Sequence, residues 1–209
     1  GSNLFTLLPP WIKKLTNDEV SEILTPGSDT RLAAKRERRS DLIEYLRELT
    51  LHYDKIVIAS ASSELGFVGK TIEQLSKDSG LSGEDIILSL LDTNNLRVSI
   101  FNEVISLENI KRIAKEEFSV IASDGVGYDI SNLNPPDGRL DLPHPRSFGA
   151  FPRALNLLVK ENPLFNWEEI IYKMSGLAAN ILGLKNRGTI QKGNKADIVI
   201  FDPQEISDY

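Results

Sequence analysis

With 209 residues, of which 41% are hydrophobic, the chain is long enough to bury a sizeable core in one large or two modest domains. A formal net charge of -6 disfavours a nucleic-acid partner, and the complete lack of cysteine excludes disulfides, thiolate nucleophiles and thiolate metal ligands. No uninterrupted apolar run of about 18 residues occurs, so we expect no membrane partner. We expect a cytoplasmic location, because a chain without cysteine is compatible with a reducing compartment.

The first half of the chain is predicted to form helices around one strand. Asn17 is predicted to cap a short helix, and a longer amphipathic helix is predicted over residues 29–50. A β-branched run over residues 55–60 is typical of a strand that is buried on both faces. Two further helices are predicted to begin after Thr71 and Ser82, each followed three residues later by a side chain that can complete the cap.

Strands and helices then alternate. Strands are predicted over residues 97–101 and 118–123, with a helix over residues 107–116 between them. Together with the first strand, this alternation is typical of parallel βα units. Three strands are few for a chain of this length. The sequence therefore predicts an α/β fold whose strands belong to a larger barrel or open sheet.

The pattern becomes irregular after the third predicted strand. A loop rich in Gly, Asn, Pro and Asp runs to about residue 145, and loops of this length are uncommon unless they are functional. Helices are predicted over residues 148–161 and 167–184. The C-terminal end is predicted to form a β-hairpin, or two strands of a separate small sheet, with the apolar run 196–202 as the second strand.

Asp124 directly follows the third predicted strand. In parallel α/β folds ligands bind at the carboxyl ends of strands, so a functional carboxylate is expected here, on the rim of the sheet and facing a pocket. The alternative is that Asp124 only caps the turn, with its side chain on neighbouring N–H groups. Spacing alone favours neither interpretation.

His144 and Arg146 lie at the far end of the long loop, just before a predicted helix. An arginine held there could bind a carboxylate through two hydrogen bonds, and His144 could donate a hydrogen bond or ligate a metal. By spacing alone, a loop histidine and arginine that only satisfy backbone carbonyls are favoured over this interpretation.

Five blocks of the sequence carry a resemblance to a known family. Residues 121–125 (IASDG) and 143–153 (PHPRSFGAFPR) resemble the SDG and HPR..GtFPR signatures of the N-acyl-D-amino-acid deacylases, within the amidohydrolase superfamily. Residues 173–179 (KMSGLAA) resemble a helix of that family, residues 187–203 its RG.I..G..ADIVVFDP ending, and residues 7–11 (LLPPW) an upstream block. The resemblance spans nearly the whole chain in the family's order.

The resemblance implies a zinc-dependent hydrolase with a distorted (βα)8 barrel and a small β-sandwich built from the two chain termini. Residues 1–185 would be the last strands and helices of the barrel, and residues 186–209 a hairpin of the sandwich. Asp124 would bind the metal and move a proton between the attacking water and the leaving amine. Arg146 would hold the α-carboxylate of a small N-acyl amino acid substrate, and His144 would support substrate binding.

The family's remaining metal ligands have no counterpart in this sequence. The family binds its metals with an HxH pair, a bridging cysteine and two further histidines, whereas this sequence contains only His52 and His144 and no cysteine. Zinc needs about three or four protein ligands to be held tightly. We therefore expect this chain to be a fragment that begins within the barrel, is inactive alone and binds zinc weakly if at all.

A hypothesis of a different class is a non-catalytic binding or dimerisation module. A partial barrel would expose a large apolar face, which a homodimer would cover. A phosphate-binding domain is disfavoured, because residues 66–71 (GFVGKT) end like a Walker A loop but Glu64 stands where that loop requires glycine. The metal content and the solution mass of the chain separate the hydrolase fragment from the module.

Overall fold

The computed structural model describes residues 2–25, 33–63, 65–129 and 142–208. The chain divides into two compact units, the first formed by the described residues of 1–104 and 128–144, the second by those of 105–127 and 145–209. Across these described stretches, no helix is both long enough and apolar enough to cross a membrane. The predicted division assigns residues 1–185 to a barrel and residues 186–209 to a β-sandwich. The two compact units do not test it, so it stays a prediction.

The described residues of the first unit form four α-helices and a small sheet. The helices are α1 (Asn17–Leu24), α2 (Ala33–Glu48), α3 (Ile72–Ser79) and α4 (Gly83–Thr93). The strands are β1 (Ser2–Asn3), β2 (Ile56–Ala61) and β3 (Val98–Asn102). The first two predicted strands are confirmed by β2 and β3, and the predicted caps Thr71 and Ser82 precede α3 and α4.

The sheet has the strand order β1-β3-β2, and both strand pairs are antiparallel. Ile58 of β2 lies opposite Ile100 of β3, and a bulge between Ile58 and Ser60 shifts the register beyond that point. The predicted parallel pairing is therefore wrong for these two strands. Runs of β-branched residues indicate that a strand forms, but they suit either direction of pairing, because both directions can bury such side chains.

The core of the first unit packs side chains from the sheet, from the helices and from the N-terminal segment. Its largest fully buried side chains include Leu4, Leu8, Ile12, Leu24, Leu42, Leu46, Ile56, Ile58, Ile72, Ile87, Leu88 and Leu91. The buried amide of Asn94 accepts a hydrogen bond from the N–H of Ser63 at 2.7 Å and donates one to the carbonyl of Leu90 at 2.9 Å. These bonds offset the cost of burying a polar side chain and connect the end of α4 to the loop after β2.

The start of α1 differs from the prediction. Thr16 caps the helix, and Asn17 is its first residue. The Thr16 hydroxyl accepts a hydrogen bond from the N–H of Glu19, and the Glu19 carboxylate accepts one from the N–H of Thr16 at 2.8 Å. Thr16 and Glu19 stand three residues apart in the sequence, which is the spacing of a capping box. This spacing is the sequence signal that favours Thr16 over Asn17 as the cap. For α2, the predicted residues 29–32 lie outside the described residues.

The described residues of the second unit are helical or irregular. Its helices are α5 (Leu107–Lys115), α6 (Arg146–Leu155), α7 (Trp167–Met174) and α8 (Gly176–Ile181), and α6 continues as a π-helix over Asn156–Glu161. The predicted helix over residues 167–184 is divided at Ser175, whose backbone leaves the helical region with φ -130° and ψ -72°. Ala114, Leu155, Leu158 and Ile170 form the buried centre of this unit.

Two strands predicted in this part of the chain are not formed among the described residues. Residues 118–123 contain no strand, and Phe118 is 77% exposed. Residues 196–202 contain none either, and Val199 and Ile200 are 83% and 93% exposed. A strand needs a neighbouring edge with free N–H and C=O groups, and an isolated two-stranded hairpin is only marginally stable in water. Apolar residues alone do not supply that edge.

Candidate functional site

Asp124 lies in an irregular segment of the second unit. Because no strand precedes it among the described residues of this unit, its predicted position on the rim of a parallel sheet is wrong. Its backbone is left-handed, with φ 47°, a conformation that aspartate tolerates because its short side chain can hydrogen-bond locally. Its carboxylate is 86% exposed and is therefore open to water and to ligands.

Asp124 faces Arg146, the first residue of α6. The two side chains form an ion pair in which Arg146 Nη2 is 3.1 Å from Asp124 Oδ2. The structure thus brings together two of the three residues selected from the sequence. An ion pair whose carboxylate is exposed contributes only about 0–1 kcal/mol, so Asp124 separates from Arg146 at little cost. Once open, it offers a carboxylate that can accept a proton or a cation, and a guanidinium that can bind an anion.

The turn that carries Asp124 packs against the first turn of α6. The N–H of Val126 donates a hydrogen bond to the Ser147 hydroxyl oxygen at 3.2 Å. A Cβ atom on Gly125 would lie 3.0 Å from the Cα atom of Ser147, so glycine permits this close approach of the two backbones. Since Arg146 and Ser147 are consecutive in α6, the same packing holds the carboxylate beside the guanidinium.

A cavity of about 490 Å³ borders Arg146 along α6. Phe148 and Pro152 contribute apolar wall, and Arg153 lies further along the same helix. Arg153 is paired with Glu161, with 2.7 Å between Nη1 and Oε1. The exposed carboxylate of Asp124 contacts Arg146 and therefore lies at the end of the cavity formed by Arg146. Small-molecule sites commonly have volumes of about 300–1,000 Å³, so this cavity has the size of a small ligand.

His144 belongs to the first unit, whereas Asp124 and Arg146 belong to the second. The half-buried imidazole of His144 makes an edge-on contact with the ring of Phe101, with 4.9 Å between centroids and 70° between planes. This contact gives His144 a packing role in the first unit. Its predicted supporting role in substrate binding stays a prediction.

The described residues do not fit a complete zinc site. Among them, no group of three or more His, Cys, Asp or Glu side chains could hold a metal ion. The full sequence contains only two histidines and no cysteine. Asp124 offers one carboxylate, whereas zinc needs about three or four protein ligands. Asp124 alone therefore does not meet that requirement.

Two side chains that sequence reasoning did not select contact the chain on either side of Asp124. The Ser147 hydroxyl holds the turn after Asp124, as described above. Lys173 on α7 is only 8% exposed, and its Nζ atom lies 2.6 Å from the Glu116 carbonyl oxygen. Both residues stand in sequence blocks that carry the family resemblance, which was the one signal pointing to them. Neither spacing nor residue type indicated a role.

The sequence matches a family model over most of its length. The model of the amidohydrolase family matches residues 16–209. Two relatives from Alcaligenes xylosoxydans xylosoxydans, an N-acyl-D-aspartate deacylase and a D-aminoacylase, are each 30% identical to the chain over 140 residues, or 67% of it. Those residues make up 25% and 26% of the relatives, so the chain spans about a quarter of the length of these curated proteins.

Solved structures resemble the chain in three dimensions. The N-acyl-D-glutamate deacylase from Bordetella bronchiseptica, solved with zinc and a phosphonate inhibitor, has a TM-score of 0.59 at 23% identity and covers 85% of this chain and 38% of its own. A D-aminoacylase with a binuclear metal centre has a TM-score of 0.56 at 25% identity, over 80% of this chain and 36% of its own. The α/β fold thus has amidohydrolase neighbours, and the resemblance found in the sequence blocks is confirmed.

Proposed function

Because the chain belongs to the amidohydrolase family, we propose that the full-length gene product hydrolyses the amide bond of an N-acyl-D-amino acid or a related acylated amine. The relatives named as deacylases support this substrate class. One observation carries the proposal: Asp124 and Arg146, which stand in two separate family-like blocks, face each other with 3.1 Å between Oδ2 and Nη2.

The two side chains have complementary tasks in this reaction. Amide hydrolysis needs a base for the attacking water and an acid for the leaving nitrogen, and Asp124 performs both in turn by accepting and then donating one proton. Its exposed carboxylate is accessible to that water. Arg146 binds the α-carboxylate of the substrate through paired hydrogen bonds once it has released Asp124. His144 supports substrate binding.

Zinc is the cofactor we propose for the full-length protein, with Asp124 as one ligand and the others supplied from outside the described residues. The support is that the similar N-acyl-D-glutamate deacylase structure contains zinc. In the same proposal, residues 1–185 contribute the last part of a (βα)8-type barrel and residues 186–209 contribute to a small β-sandwich. The likeness to amidohydrolase structures supports this architecture.

Replacement of Asp124 by asparagine tests the proposal. We expect Asp124→Asn in the full-length protein to lower kcat by roughly 10²–10⁴-fold, because the amide cannot accept the proton of the attacking water. The measurement is release of free amino acid from N-acetyl-D-amino acids in the presence of zinc. Circular dichroism and thermal unfolding verify that the variant is folded.

Asp197→Asn is the matched control. Asp197 is also an exposed aspartate of the second unit paired with an arginine, Arg187. It takes no part in the proposed reaction, so we expect kcat to change by less than about twofold, as is usual for surface substitutions. Near-normal turnover by Asp124→Asn would remove Asp124 from the mechanism, and an equal loss in both variants would attribute the effect to general damage.

A second candidate function is a non-catalytic binding or dimerisation module. The observation that favours it is the exposure of large apolar side chains on the second unit, among them Phe118, Leu182, Ile190 and Ile200. Apolar groups exposed in this way often mark an interaction surface. A module of this kind would form a dimer whether or not Asp124 is present, and no variant at position 124 would affect it.

A further inference from the structure

Lys173 is a buried cation that the proposed reaction does not use. It lies in the last turn of α7, and its Nζ atom donates hydrogen bonds to the carbonyl oxygens of Glu116 at 2.6 Å and Ser119 at 3.0 Å. The ring of Phe165 lies under the ammonium group, 5.6 Å from Nζ to the centroid. Burying a charge is costly unless it is hydrogen-bonded, and these three contacts offset that cost.

The main chain of Lys173 also contacts the same segment. Its carbonyl oxygen accepts a hydrogen bond from the N–H of Ile121 at 3.4 Å. Glu116 is the C-cap of α5, directly after its last residue, where helix carbonyls have no partner within the helix and where a cation is favourable. Lys173 therefore attaches the end of α5 and the irregular segment after it to α7 at three points.

This attachment lies directly before the candidate site. Ile121 is followed by Ala122, Ser123 and Asp124. On the other side of Asp124, the chain is held by Ser147 of α6 through the N–H of Val126. The segment that carries the carboxylate is thus fixed at both ends, by α7 before it and by α6 after it.

We propose that Lys173 is a positioning residue for Asp124. Its ammonium group fixes the course of residues 116–121 and thereby the place at which the carboxylate meets α6. The effect on catalysis rests on the proposed function of Asp124, whereas the effect on the segment does not. The two acceptors are carbonyl oxygens, so they require a hydrogen-bond donor at the end of a long side chain, which methionine does not supply.

Amide hydrogen exchange on the 209-residue chain tests the effect on the segment. In Lys173→Met we expect the amides of Ser119 and Ile121 to exchange roughly tenfold faster or more, because hydrogen bonds to a charged group are lost and the segment opens locally. The amide of Ala179 in α8, which donates to the Ser175 carbonyl, should keep its protection and shows that the unit is folded. Unchanged exchange at Ser119 and Ile121 would overturn the proposal.

Lys160→Met is the matched control. Lys160 also donates to two backbone carbonyls of the second unit, those of Gln204 at 2.9 Å and Ile206 at 3.2 Å, but it holds the C-terminal segment. Its loss should therefore leave the exchange of Ser119 and Ile121 unchanged. If faster exchange there followed from either lysine, Lys173 would have no specific role.

Lys173→Arg and Lys173→Gln keep the test decisive if the methionine variant does not fold. Arginine retains the charge and two donors, and glutamine retains donors without charge. We expect Lys173→Arg to restore slow exchange at Ser119 and Ile121 more fully than Lys173→Gln. Equal exchange in all folded variants would overturn the proposal.

Kinetics of the full-length protein then separate this proposal from the proposed function. A displaced Asp124 should lower kcat by roughly tenfold or more with little change in KM, and Lys173→Arg should recover part of the loss. If Asp124→Asn is fully active, the proposed function fails while the exchange result still decides the role of Lys173 in the segment. Normal kcat in Lys173→Met, alongside an inactive Asp124→Asn, would overturn the positioning of Asp124.

Discussion

Tyr53 is a half-buried phenol of the first unit whose ring rests on Gly83, where a Cβ atom would lie 2.5 Å from the ring. The neighbouring Glu84 is buried, and its carboxylate is 3.4 Å from Arg47 Nε. Burial, and next the negative charge of Glu84, raise the pKa of Tyr53 to about 12. Both effects favour the neutral phenol.

The raised pKa makes stability depend on alkaline pH. The unfolded tyrosine has a pKa of about 10, so the stabilisation is fully present below pH 10 and is lost as the pH rises toward 12. We expect the difference in unfolding free energy between the native chain and Tyr53→Phe to shrink by about 1 kcal/mol between pH 9 and pH 11.5, allowing for solvent screening of a half-exposed group. Urea unfolding at each pH measures this difference in unfolding free energy. A constant difference for Tyr53→Phe across this pH range would contradict the expectation.

Residues with local roles could be predicted from the sequence. Thr71 and Ser82 cap their helices because a cap needs only a side-chain oxygen and an N–H a few residues on. Asp124 and Arg146 form their pair across a long stretch of chain. Spacing alone favoured neither role for Asp124 and favoured a purely structural role for Arg146. The family-like blocks selected both residues, but their contact depends on how two distant segments pack.

Gly188 packs against the joint between α7 and α8, which lies at Ser175. A Cβ atom there would lie 2.7 Å from the Cβ of Ala179 and 2.9 Å from the carbonyl oxygen of Ser175, and the backbone is left-handed with φ 81°. The segment with the RG motif therefore packs directly on the helical block that starts at Lys173. This contact gives a physical reason for two of the family-like blocks to occur together.

Comparison of two glycine substitutions separates the cost of overpacking at Gly188 from the cost of its backbone conformation. Gly193 also has a left-handed backbone, with φ 92°, but a Cβ atom there would meet nothing within 4 Å. We expect Gly193→Ala to cost about 1–2 kcal/mol for the backbone conformation alone, and Gly188→Ala a further 1–3 kcal/mol or so for overpacking. Chemical denaturation gives both values. Equal losses would show that the joint between the helices adapts without strain.

The helices could be predicted from the sequence better than the strands. A helix satisfies its own backbone hydrogen bonds, so periodicity and caps suffice for α3, α4 and α5. A strand depends on a partner from elsewhere in the chain. Residues 118–123 have the composition of a strand, yet the N–H of Ile121 bonds to the carbonyl of Lys173 on a helix. Composition cannot reveal which neighbour a backbone will find.

At the scale of the whole molecule, the sequence predicted the α/β class and the family but not the arrangement of strands. The three-stranded antiparallel sheet belongs to the first unit, whereas the candidate site belongs to the second. The expectation of a carboxylate at a sheet edge depended on a strand over residues 118–123. That strand is not formed among the described residues, so the inference failed.

Metal content and solution mass of the 209-residue chain test whether it binds zinc by itself. After incubation with zinc and gel filtration, we expect well under one zinc per chain by mass spectrometry of the metal, because the described residues include no cluster of ligands. Light scattering gives the molar mass. Stoichiometric zinc in a monomer would contradict the fragment hypothesis, whereas a metal-free dimer would favour the dimerisation module.

The run of residues 196–201 (ADIVIF) is not part of a sheet, and Ile198, Val199 and Ile200 are exposed. A stretch this rich in β-branched side chains and free of proline can add to the same stretch of another molecule and seed a cross-β stack. We therefore expect aggregation of the isolated chain to increase with protein concentration. A lysine in place of Val199 would act as a gatekeeper against that stacking without touching Asp124 or Arg146.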